Sequence, residues 1–412
     1  MDTYDAGNGS LKEKPLVSVI IPTHNRANLL REALDSVYAQ EGVGKQFEME
    51  IVVVDDASSD ATPETVRQYP EVQYIRHDTN QGESAARNTG IKASQGKYVA
   101  FLDDDDLWLP HKLSVQVPVL ETHPEAGVVY GQNVIRNEGI DNLWPDTHRA
   151  PSGDVFCTFL VEDFITINTV VVRREVFRKA GYFDESLKTM QYYDMCLRLA
   201  FYVPFIFIPG NVAIQRYSSQ GAWTTTVVKG VYEQTHSHVV ERALTMLPDT
   251  DEYARVKRQA RIVLFCQIAK NLASVAARGW IESDRLHAHV LTCLQASPWL
   301  ATEPSVRALL ARSLGRLAHA STSPIATTRN FCAEIGALSC RRSMWERLGI
   351  SRLIADVWTE VAIGLGSGSR PYIRAAGYAA THAVLYNPTK LARRSLLRLM
   401  VRSLVRPRME LT

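Results

Sequence analysis

The chain has 412 residues, of which 46% are hydrophobic and 22% are charged. This composition suffices for one large core or two moderate ones, and it excludes a chain that is disordered throughout. Basic residues exceed acidic residues by two, so the overall charge does not indicate a nucleic-acid partner. The six cysteines are spread singly with no C-x-x-C pair, a pattern typical of reduced thiols in a cytoplasmic protein.

The first hundred residues alternate between short apolar runs and amphipathic stretches. Four runs rich in β-branched and aromatic residues predict buried strands at 17–21, 51–54, 72–75 and 98–102. Three amphipathic stretches predict helices over 30–38, from 62 onward, and over 84–93. Strands that alternate with helices in this way predict right-handed β-α-β units, and therefore an α/β domain with a mainly parallel sheet and helices on both faces.

The pattern is less regular from residue 127 to about residue 214. Strand-like segments at 128–130, 169–172 and 205–208 surround a predicted helix at 194–200. Beyond about residue 229, helical spacing dominates in four segments, at 239–246, 253–277, 283–294 and 305–317. The predicted organisation is an N-terminal tail over 1–14, an α/β domain over 15–228 and a mostly α-helical C-terminal region over 229–412.

Two acidic clusters follow predicted strands, at the edge of the sheet where such folds bind ligands. Residues 103–106 are four consecutive aspartates. They repel one another unless a cation lies among them, and Mg²⁺ or Mn²⁺ takes carboxylate ligands together with substrate phosphates. The alternative is a solvated acidic turn that caps a helix starting at Leu107. Residues 55–60 form the second cluster, which suits either nucleotide contacts or a capping turn.

Four segments together resemble the family-2 glycosyltransferases, whose GT-A domain binds a nucleotide sugar. They are V-S-V-I-I-P-T-H-N-R at 17–26, I-V-V-V-D-D-A-S-S-D at 51–60, N-Q-G-E-S-A-A-R-N-T-G at 80–90 and G-K-Y-V-A-F-L-D-D-D-D-L-W at 96–108. Their order and spacing make the match specific, and it covers about the first half of the chain. The resemblance implies a GT-A fold and transfer of a sugar, with inversion, from a nucleotide-diphosphate donor that is most often a UDP-sugar.

The resemblance also implies which residues hold the nucleotide. Asp56 is expected to contact the base, and Pro22 and His24 to line the same pocket, with His24 where the family usually has Tyr. Arg87 either adds positive charge near the donor phosphates or pairs internally with an acidic loop.

The family's D-x-D segment corresponds to the first three aspartates of the 103–106 cluster. Asp105 is the expected metal ligand, and Asp103 or Asp104 is expected near the ribose. The implied cofactor is Mn²⁺ or Mg²⁺, which would neutralise charge on the departing nucleoside diphosphate.

Other nucleotide-dependent functions have less support. The sequence has no G-x-x-x-x-G-K-[ST] and no complete G-x-G-x-x-G, the motifs of many ATPases and dehydrogenases. A nucleotidyltransferase would use a similar sheet and metal, but its Gly-rich loop after the first strand is missing here.

The segment that usually carries the catalytic base departs from the family pattern. After G-Y-F-D-E at 181–185 the family has E-D-x-D-L-x-L-R, whereas residues 191–198 read Q-Y-Y-D-M-C-L-R. Tyr192 occupies the usual carboxylate position, and a tyrosine with an ordinary pKa of about 10 is a poor base at neutral pH. Asp194 or another carboxylate substitutes, or Tyr192 is activated, or the protein is a nucleotide-sugar-binding scaffold with weak or no transfer. For Asp194, the alternative is an ion pair with Arg198.

The C-terminal residues are strongly basic. Residues 390–412 contain seven basic residues and one acidic residue, and an apolar stripe lies beside arginines that recur every four positions. Such a helix suits an anionic membrane surface, although the protein's own acidic surface or an RNA would also satisfy the charge. The sequence has no signal-peptide pattern and no apolar run of about 20 residues, so we expect a cytoplasmic enzyme that is peripheral on the inner face of the membrane. Its expected partners are a nucleotide-sugar donor and a glycan or lipid-linked acceptor. No nucleic-acid partner is expected.

Overall fold

The computed structural model describes residues 13–137, 140–144, 150–216, 222–277, 283–296, 300, 302–320, 324–337, 352–361 and 383. The chain divides into two compact units, the first formed by Met1–Trp223 and Gln234–Val256 and the second by Thr224–Glu233 and Lys257–Thr412. Most of the expected N-terminal tail and all of the basic segment at 390–412 lie outside the described residues.

Nine strands of the described chain form one sheet in the first unit. They are β1 (Leu16–Thr23), β2 (Glu48–Asp55), β3 (Val72–Arg76), β4 (Tyr98–Phe101), β5 (Leu107–Trp108), β6 (Val128–Asn137), β7 (Ile140–Trp144), β8 (Val171–Arg173) and β9 (Phe205–Arg216). Their order across the sheet is β3-β2-β1-β4-β8-β6-β9-β5, and β7 pairs with β6.

The sheet has a parallel half and a mixed half. β3, β2, β1 and β4 are all parallel, which confirms the predicted β-α-β units. β8 is antiparallel to both β4 and β6, β6 is parallel to β9, and β5 and β7 are antiparallel to their neighbours. The α/β class is confirmed. The continuous parallel arrangement ends at β4, because its next neighbour, the three-residue strand β8, is antiparallel to it.

Helices cover both faces of the parallel half. The helices up to residue 202 are α1 (Ala27–Tyr38), α2 (Thr62–Val66), α3 (Glu83–Ala93), α4 (Lys112–Thr122), α5 (Phe156–Phe159), α6 (Phe177–Ala180) and α7 (Gln191–Tyr202). Alternate residues of the strands point to opposite faces. Val19 and Ile21 of β1 belong to one buried cluster with Leu34 of α1, while Val54 of β2 packs with Ala86 of α3 in another.

Helix α3 approaches β1 very closely. A Cβ atom added at Gly90 would lie 2.5 Å from Cγ2 of Ile20, a separation that real Cβ contacts do not show. Glycine at this position therefore allows the helix that begins at Glu83 to pack against the strand that ends at Thr23.

The described chain after β9 forms helices joined by short turns, which confirms the predicted helical region. Its helices are α8 (Ala222–Lys229), α9 (Val231–Thr245), α10 (Asp251–Ala277), α11 (Ser283–Ala296), α12 (Pro304–Ala320) and α13 (Pro324–Ala337), followed by helical residues 352–361. Within the second unit, apolar residues of these helices such as Leu272, Val290 and Trp358 are buried. None of the helices in the described ranges has the length and apolar character that crossing a membrane requires.

Candidate active site

The loops that follow β1, β2 and β4 meet at one edge of the sheet. The three strands are adjacent and parallel, so their carboxyl ends lie side by side. The backbone N–H of Asp56 donates to the carbonyl oxygen of Thr23 at 2.9 Å, and Thr23 Oγ1 donates to Asp104 Oδ2 at 2.7 Å. The two acidic clusters expected at this edge are therefore in direct contact with the same strand end.

Asp56 is buried and its carboxylate orders the loop before α3. Its Oδ1 accepts from the backbone N–H of Gln81 at 2.8 Å and lies 2.8 Å from His77 Nδ1, and its Oδ2 accepts from the backbone N–H of Gly82 at 2.7 Å. Burial alone would raise the pKa of Asp56, but these hydrogen bonds outweigh burial and lower it. Asp56 is therefore a fixed, ionised carboxylate.

His24 lies directly beside Asp56. It follows Pro22 and Thr23 at the end of β1, where Pro22 is buried and His24 is exposed. Its Nδ1 lies 2.7 Å from the backbone oxygen of Asp56, and its Nε2 lies 2.9 Å from Asn25 Nδ2. Since a carbonyl oxygen only accepts, Nδ1 carries the proton and Nε2 accepts from Asn25. The structure thus brings Pro22, His24 and Asp56 together.

Three described non-glycine residues have a strained backbone, two in the loops at this edge and one directly before α7. Among the described residues, the non-glycine positions with positive φ are Asn25 at 55°, Ala57 at 64° and Met190 at 62°. Such conformations cost on the order of 1–3 kcal/mol each and persist only where surrounding contacts impose them. Asn25 Oδ1 accepts from the backbone N–H of Ser59 at 2.7 Å, which ties the loops after β1 and β2 together.

An arginine pairs with the middle of the aspartate cluster. Arg26 Nη1 donates to Asp104 Oδ1 and to Asp105 Oδ2, both at 2.8 Å. Burial raises the pKa of Asp104 to about 6 in spite of this ion pair, and burial together with the charge of Asp103 raises the pKa of Asp105. These carboxylates are thus only partly compensated by the protein itself.

Arg87 lies in the protein interior and pairs with carboxylates. Its Nη2 donates to Asp103 Oδ1 at 2.5 Å and also pairs with Glu83, and its Cζ lies 5.3 Å from the ring centroid of Phe183. Burial alone would lower the pKa of Arg87, but Glu83 and Asp103 raise it overall. The internal ion pair is therefore present, while the buried Nε has no hydrogen-bond partner among the described residues.

The fourth aspartate anchors the cluster rather than capping a helix. Asp106 Oδ1 accepts from the backbone N–H of Arg216 at 2.9 Å, and its Oδ2 accepts from Asn168 Nδ2 at 2.7 Å. The alternative of a helix from Leu107 is wrong, because Leu107–Trp108 pair with β9 as strand β5 and α4 begins only at Lys112.

The carboxylates of this cluster fit a hard cation that arrives with a diphosphate. No three His, Cys, Asp or Glu side chains in the described ranges are arranged to hold a metal by themselves. Asp103 Oδ1 and Asp105 Oδ2 are bound by arginines, which leaves Asp103 Oδ2 and Asp105 Oδ1 as ligand atoms. Mg²⁺ is typically held by one or two carboxylates, with substrate phosphates and waters completing its shell. Asp105, the more exposed of the two side chains, would hold the ion, and the second oxygen of Asp103 stays available to the donor.

Asn88 joins the donor side of the site to the segment at 181–185. Its Oδ1 accepts from the backbone N–H of Phe183 at 2.9 Å, and its Nδ2 donates to the carbonyl oxygen of Phe183 at 2.9 Å and to Glu185 Oε1 at 2.7 Å. Asn88 belongs to the motif at residues 80–90, but the motif alone does not indicate this role.

Asp194 is buried between two arginines. Its Oδ2 accepts from Arg198 Nε at 3.1 Å and Nη2 at 2.8 Å, and its Oδ1 accepts from Arg242 of α9. Arg242 also donates to Asp184 at 2.7 Å. Burial would raise the pKa of Asp184, but hydrogen bonds from Ser186 and Arg242 lower it to about 2. The ion pair with Arg198 is present, and the role of Asp194 as a base stays a prediction that these contacts do not favour.

Tyr192, at the usual position of the base, contacts a different carboxylate. Its hydroxyl donates to Asp163 Oδ2 at 2.7 Å. Asp163 belongs to no sequence motif and lies in an irregular segment 29 residues before Tyr192, so no sequence pattern indicates it.

The sequence of this chain is similar to those of known proteins. Residues 18–217 match the family described as glycosyl transferase family 2. An uncharacterized glycosyltransferase of Rickettsia prowazekii is 32% identical over 224 residues, which cover 53% of this chain and 69% of that protein. An uncharacterized protein of Mycobacterium tuberculosis is 31% identical over 245 residues, which cover 57% of this chain and 68% of that protein.

Solved structures show weaker similarity. The crystal structure of TarS 1–349 from S. aureus has 17% sequence identity and a TM-score of 0.47, with 86% of this chain and 93% of that chain covered. At this identity and a TM-score below 0.5, the ligand of one protein cannot be inferred from the other.

Proposed function

Because the chain belongs to glycosyltransferase family 2, whose members transfer sugars from nucleotide-sugar donors, we propose that it uses a UDP-sugar, requires Mn²⁺ or Mg²⁺, and inverts the anomeric carbon. The acceptor is a glycan or a lipid-linked molecule in polysaccharide or cell-envelope glycan synthesis. The observation that carries the proposal is the contact between the two acidic clusters at one sheet edge, through Thr23, Asp56 and Asp104.

The nucleoside would lie against the end of β1 and the loop after β2. Asp56 would contact the base through the remaining lone pairs of its carboxylate, which its hydrogen bonds already hold ionised and in place. Pro22 and His24 form the wall of the same pocket. This assignment is supported by the hydrogen bond between His24 and the backbone of Asp56.

The diphosphate would lie against the aspartate cluster. Asp103 or Asp104 would lie near the ribose, Asp105 would bind the metal ion, and the Nε–H of Arg87 would add a donor toward the phosphates. When bound, the ion neutralises negative charge on the departing nucleoside diphosphate. Arg26 and Arg87 hold the carboxylates in position before the donor arrives.

The alternative function is a scaffold that binds a nucleotide sugar and transfers weakly or not at all. It is favoured by one observation, the presence of Tyr192 where a carboxylate is expected while Asp194 is paired with two arginines. The two functions share donor binding and differ in turnover.

Calorimetric titration with UDP, GDP and a panel of UDP- and GDP-sugars, with and without Mn²⁺, tests the proposal. Asp105→Asn should lower the Mn²⁺-dependent affinity at least tenfold, because it removes the charge and one ligand atom of the metal. Glu64→Gln, which changes an exposed carboxylate on α2, is the matched control and should bind like the wild type. Equal affinity of Asp105→Asn and wild type in the presence of Mn²⁺ would contradict the assigned site. Nucleoside diphosphate release in the same samples separates an enzyme from a scaffold.

We further propose a transferase domain over 15–228, a helical region over 229–412 and a peripheral position on the cytoplasmic face of the membrane. The support for the membrane position is the basic, amphipathic sequence pattern between residues 390 and 412. A chain that ends at residue 389 should no longer sediment with vesicles containing phosphatidylglycerol, and neither form should sediment with pure phosphatidylcholine. Equal sedimentation of the two forms would exclude this role for the segment.

A further inference from the structure

A carboxylate without a cationic partner lies beside the tyrosine that replaces the usual base. Asp163 Oδ2 accepts the hydrogen bond of Tyr192, and its Oδ1 accepts only a long one, 3.3 Å, from the backbone N–H of Ile165. No lysine, arginine or histidine of the described chain forms an ion pair with Asp163. Asp194, on the same helix as Tyr192, is in contrast paired with two arginines.

The segment that carries Asp163 is attached to the aspartate cluster. Asn168 Nδ2 donates to Asp106 Oδ2 at 2.7 Å, and Asn168 Oδ1 accepts from Thr166 Oγ1 at 2.7 Å. Trp108, directly after the cluster, donates from Nε1 to the backbone oxygen of Asn168 at 2.9 Å. Asp163 is thus five residues from a side chain that binds the end of the metal-binding loop.

Helix α7 connects Asp163 to the same site from the other side. Burial raises the pKa of the Cys196 thiol, the charge of Asp163 raises it further, and the charge of Arg87 lowers it. The thiol therefore lies within electrostatic reach of both Asp163 and Arg87, and Arg87 donates to Asp103. Asp163 and Tyr192 are in direct contact, and helix α7 carries a thiol that responds to the charges of both Asp163 and Arg87.

We propose that Asp163 is the catalytic base and that Tyr192 is the residue that positions it, an inference that rests on the proposed transferase function. The acceptor oxygen forms a bond to the anomeric carbon as the bond from that carbon to the donor phosphate oxygen breaks. The bonding electron pair leaves with the nucleoside diphosphate. The proton of the acceptor hydroxyl goes to the carboxylate of Asp163, so that atoms and charge balance.

The surroundings of Asp163 suit this role. Burial raises its pKa to about 6, while the hydrogen bonds from Tyr192 and Ile165 act in the opposite direction. A general base works best when its pKa is near the pH at which the enzyme operates. Among the described residues, the titratable side chains that act on Asp163 or respond to its charge are Tyr192 and Cys196, both on α7, and burial raises the pKa of the Cys196 thiol.

The main test is Asp163→Asn, compared with Glu162→Gln as a control that removes the neighbouring exposed carboxylate. The probe is the nucleotide sugar of the panel that binds the wild type most tightly, and the readouts are its affinity and the release of nucleoside diphosphate. Asp163→Asn should bind this donor within about twofold of wild type and release product about 10²–10⁴-fold more slowly, the usual contribution of a general base. Glu162→Gln should behave like the wild type in both measurements.

A second pair of variants separates a base from a structural residue. The double variant Asp163→Asn with Tyr192→Asp has a carboxylate on the other side of the 2.7 Å contact. Its rate of nucleoside diphosphate release should be at least tenfold higher than that of Asp163→Asn alone. Tyr192→Phe should retain activity but move the acid limb of the rate profile to higher pH, because the lost hydrogen bond stabilises the ionised form of Asp163.

The outcomes separate failure of the proposed transferase function from failure of the assignment of Asp163 as the base. If no nucleotide sugar binds to the wild type, the proposed function fails and the base assignment fails with it. If the donor binds but the wild type releases no product, the scaffold function replaces the transferase and the base assignment fails with it. If the donor binds, the wild type releases product and Asp163→Asn turns over at the wild-type rate, then only the base assignment is overturned. Loss of rate in Asp194→Asn with none in Asp163→Asn would return the role to Asp194.

Discussion

Replacing Asp163 by Asn should make the protein more stable while it makes it less active. Burial raises the pKa of Asp163 from 3.8 to about 6. Each pKa unit corresponds to about 1.4 kcal/mol, so the ionised carboxylate costs the folded state about 3 kcal/mol relative to the unfolded chain at pH 8. The one oxygen of Asn accepts from the backbone N–H of Ile165, while its NH₂ group donates to the hydroxyl oxygen of Tyr192, and this changed hydrogen bonding costs about 1 kcal/mol. The net gain in the free energy of unfolding is about 2 kcal/mol.

The pH dependence has a defined sign. Below pH 3.8 the carboxyl group is protonated in both states, so the raised pKa has no effect on stability. Between pH 3.8 and about 6 the unfolded chain releases the proton first, and wild-type stability falls as the pH rises. Above that window the deficit is constant. The advantage of Asp163→Asn should therefore be full at pH 8 and vanish near pH 4.5.

Scanning calorimetry of wild type, Asp163→Asn and Glu162→Gln between pH 4.5 and pH 8 measures the effect. A gain of 2 kcal/mol raises the Tm of a domain of this size by roughly 4–8 °C. Glu162→Gln, an exposed position, should stay close to the wild type at every pH. A lower Tm for Asp163→Asn at pH 8 would refute the reasoning, because it would show that the ionised carboxylate stabilises the fold. A gain in stability with a loss of turnover is the trade-off expected of a catalytic group.

Two further substitutions test the packing around the site. Arg87→Met removes the guanidinium that pairs Glu83 with Asp103, and leaving these carboxylates uncompensated should cost about 3–5 kcal/mol, seen as a lower denaturant midpoint; an unchanged midpoint would exclude a structural role. Gly90→Ala should destabilise by about 1–3 kcal/mol because its Cβ would meet Ile20, although Ala is the better helix former. A raised Tm for Gly90→Ala would contradict the close packing of α3 on β1.

The strands that the sequence predicts well are those whose burial is visible locally. β1, β2 and β4 have apolar residues on both faces, so each appears as a continuous apolar run between polar loops. β5 has only two residues, Leu107–Trp108, and pairs with residues of β9 far along the chain. Two residues show no periodicity, so this strand cannot be inferred from hydrophobic patterns. The segments at 128–130, 169–172 and 205–208 do predict β6, β8 and β9, but not the directions in which these strands pair.

The same distinction applies to the site. Asp56 and the aspartate cluster follow parallel strands, and the carboxyl ends of such strands necessarily meet, so their proximity can be predicted. The pairing of Arg87 with an acidic loop was one of two alternatives, and only the structure shows its partners, Glu83 and Asp103. The contact between Tyr192 and Asp163 depends on an irregular segment that has no periodicity or motif, and no sequence pattern places it.

The absence of a carboxylate at position 192 does not imply an inactive protein, because the region near α7 contains two aspartates with opposite surroundings. Asp194 is neutralised by Arg198 on the same helix and by Arg242 on α9, and α9 lies beyond residues 18–217, where the family match ends. Asp163 has no cationic partner in the described part of the chain and is held by a tyrosine. When the environments of two carboxyl groups differ in this way, one is suited to structure and the other to proton transfer. The arginines that compensate Asp194 therefore leave Asp163 as the carboxylate that can accept a proton.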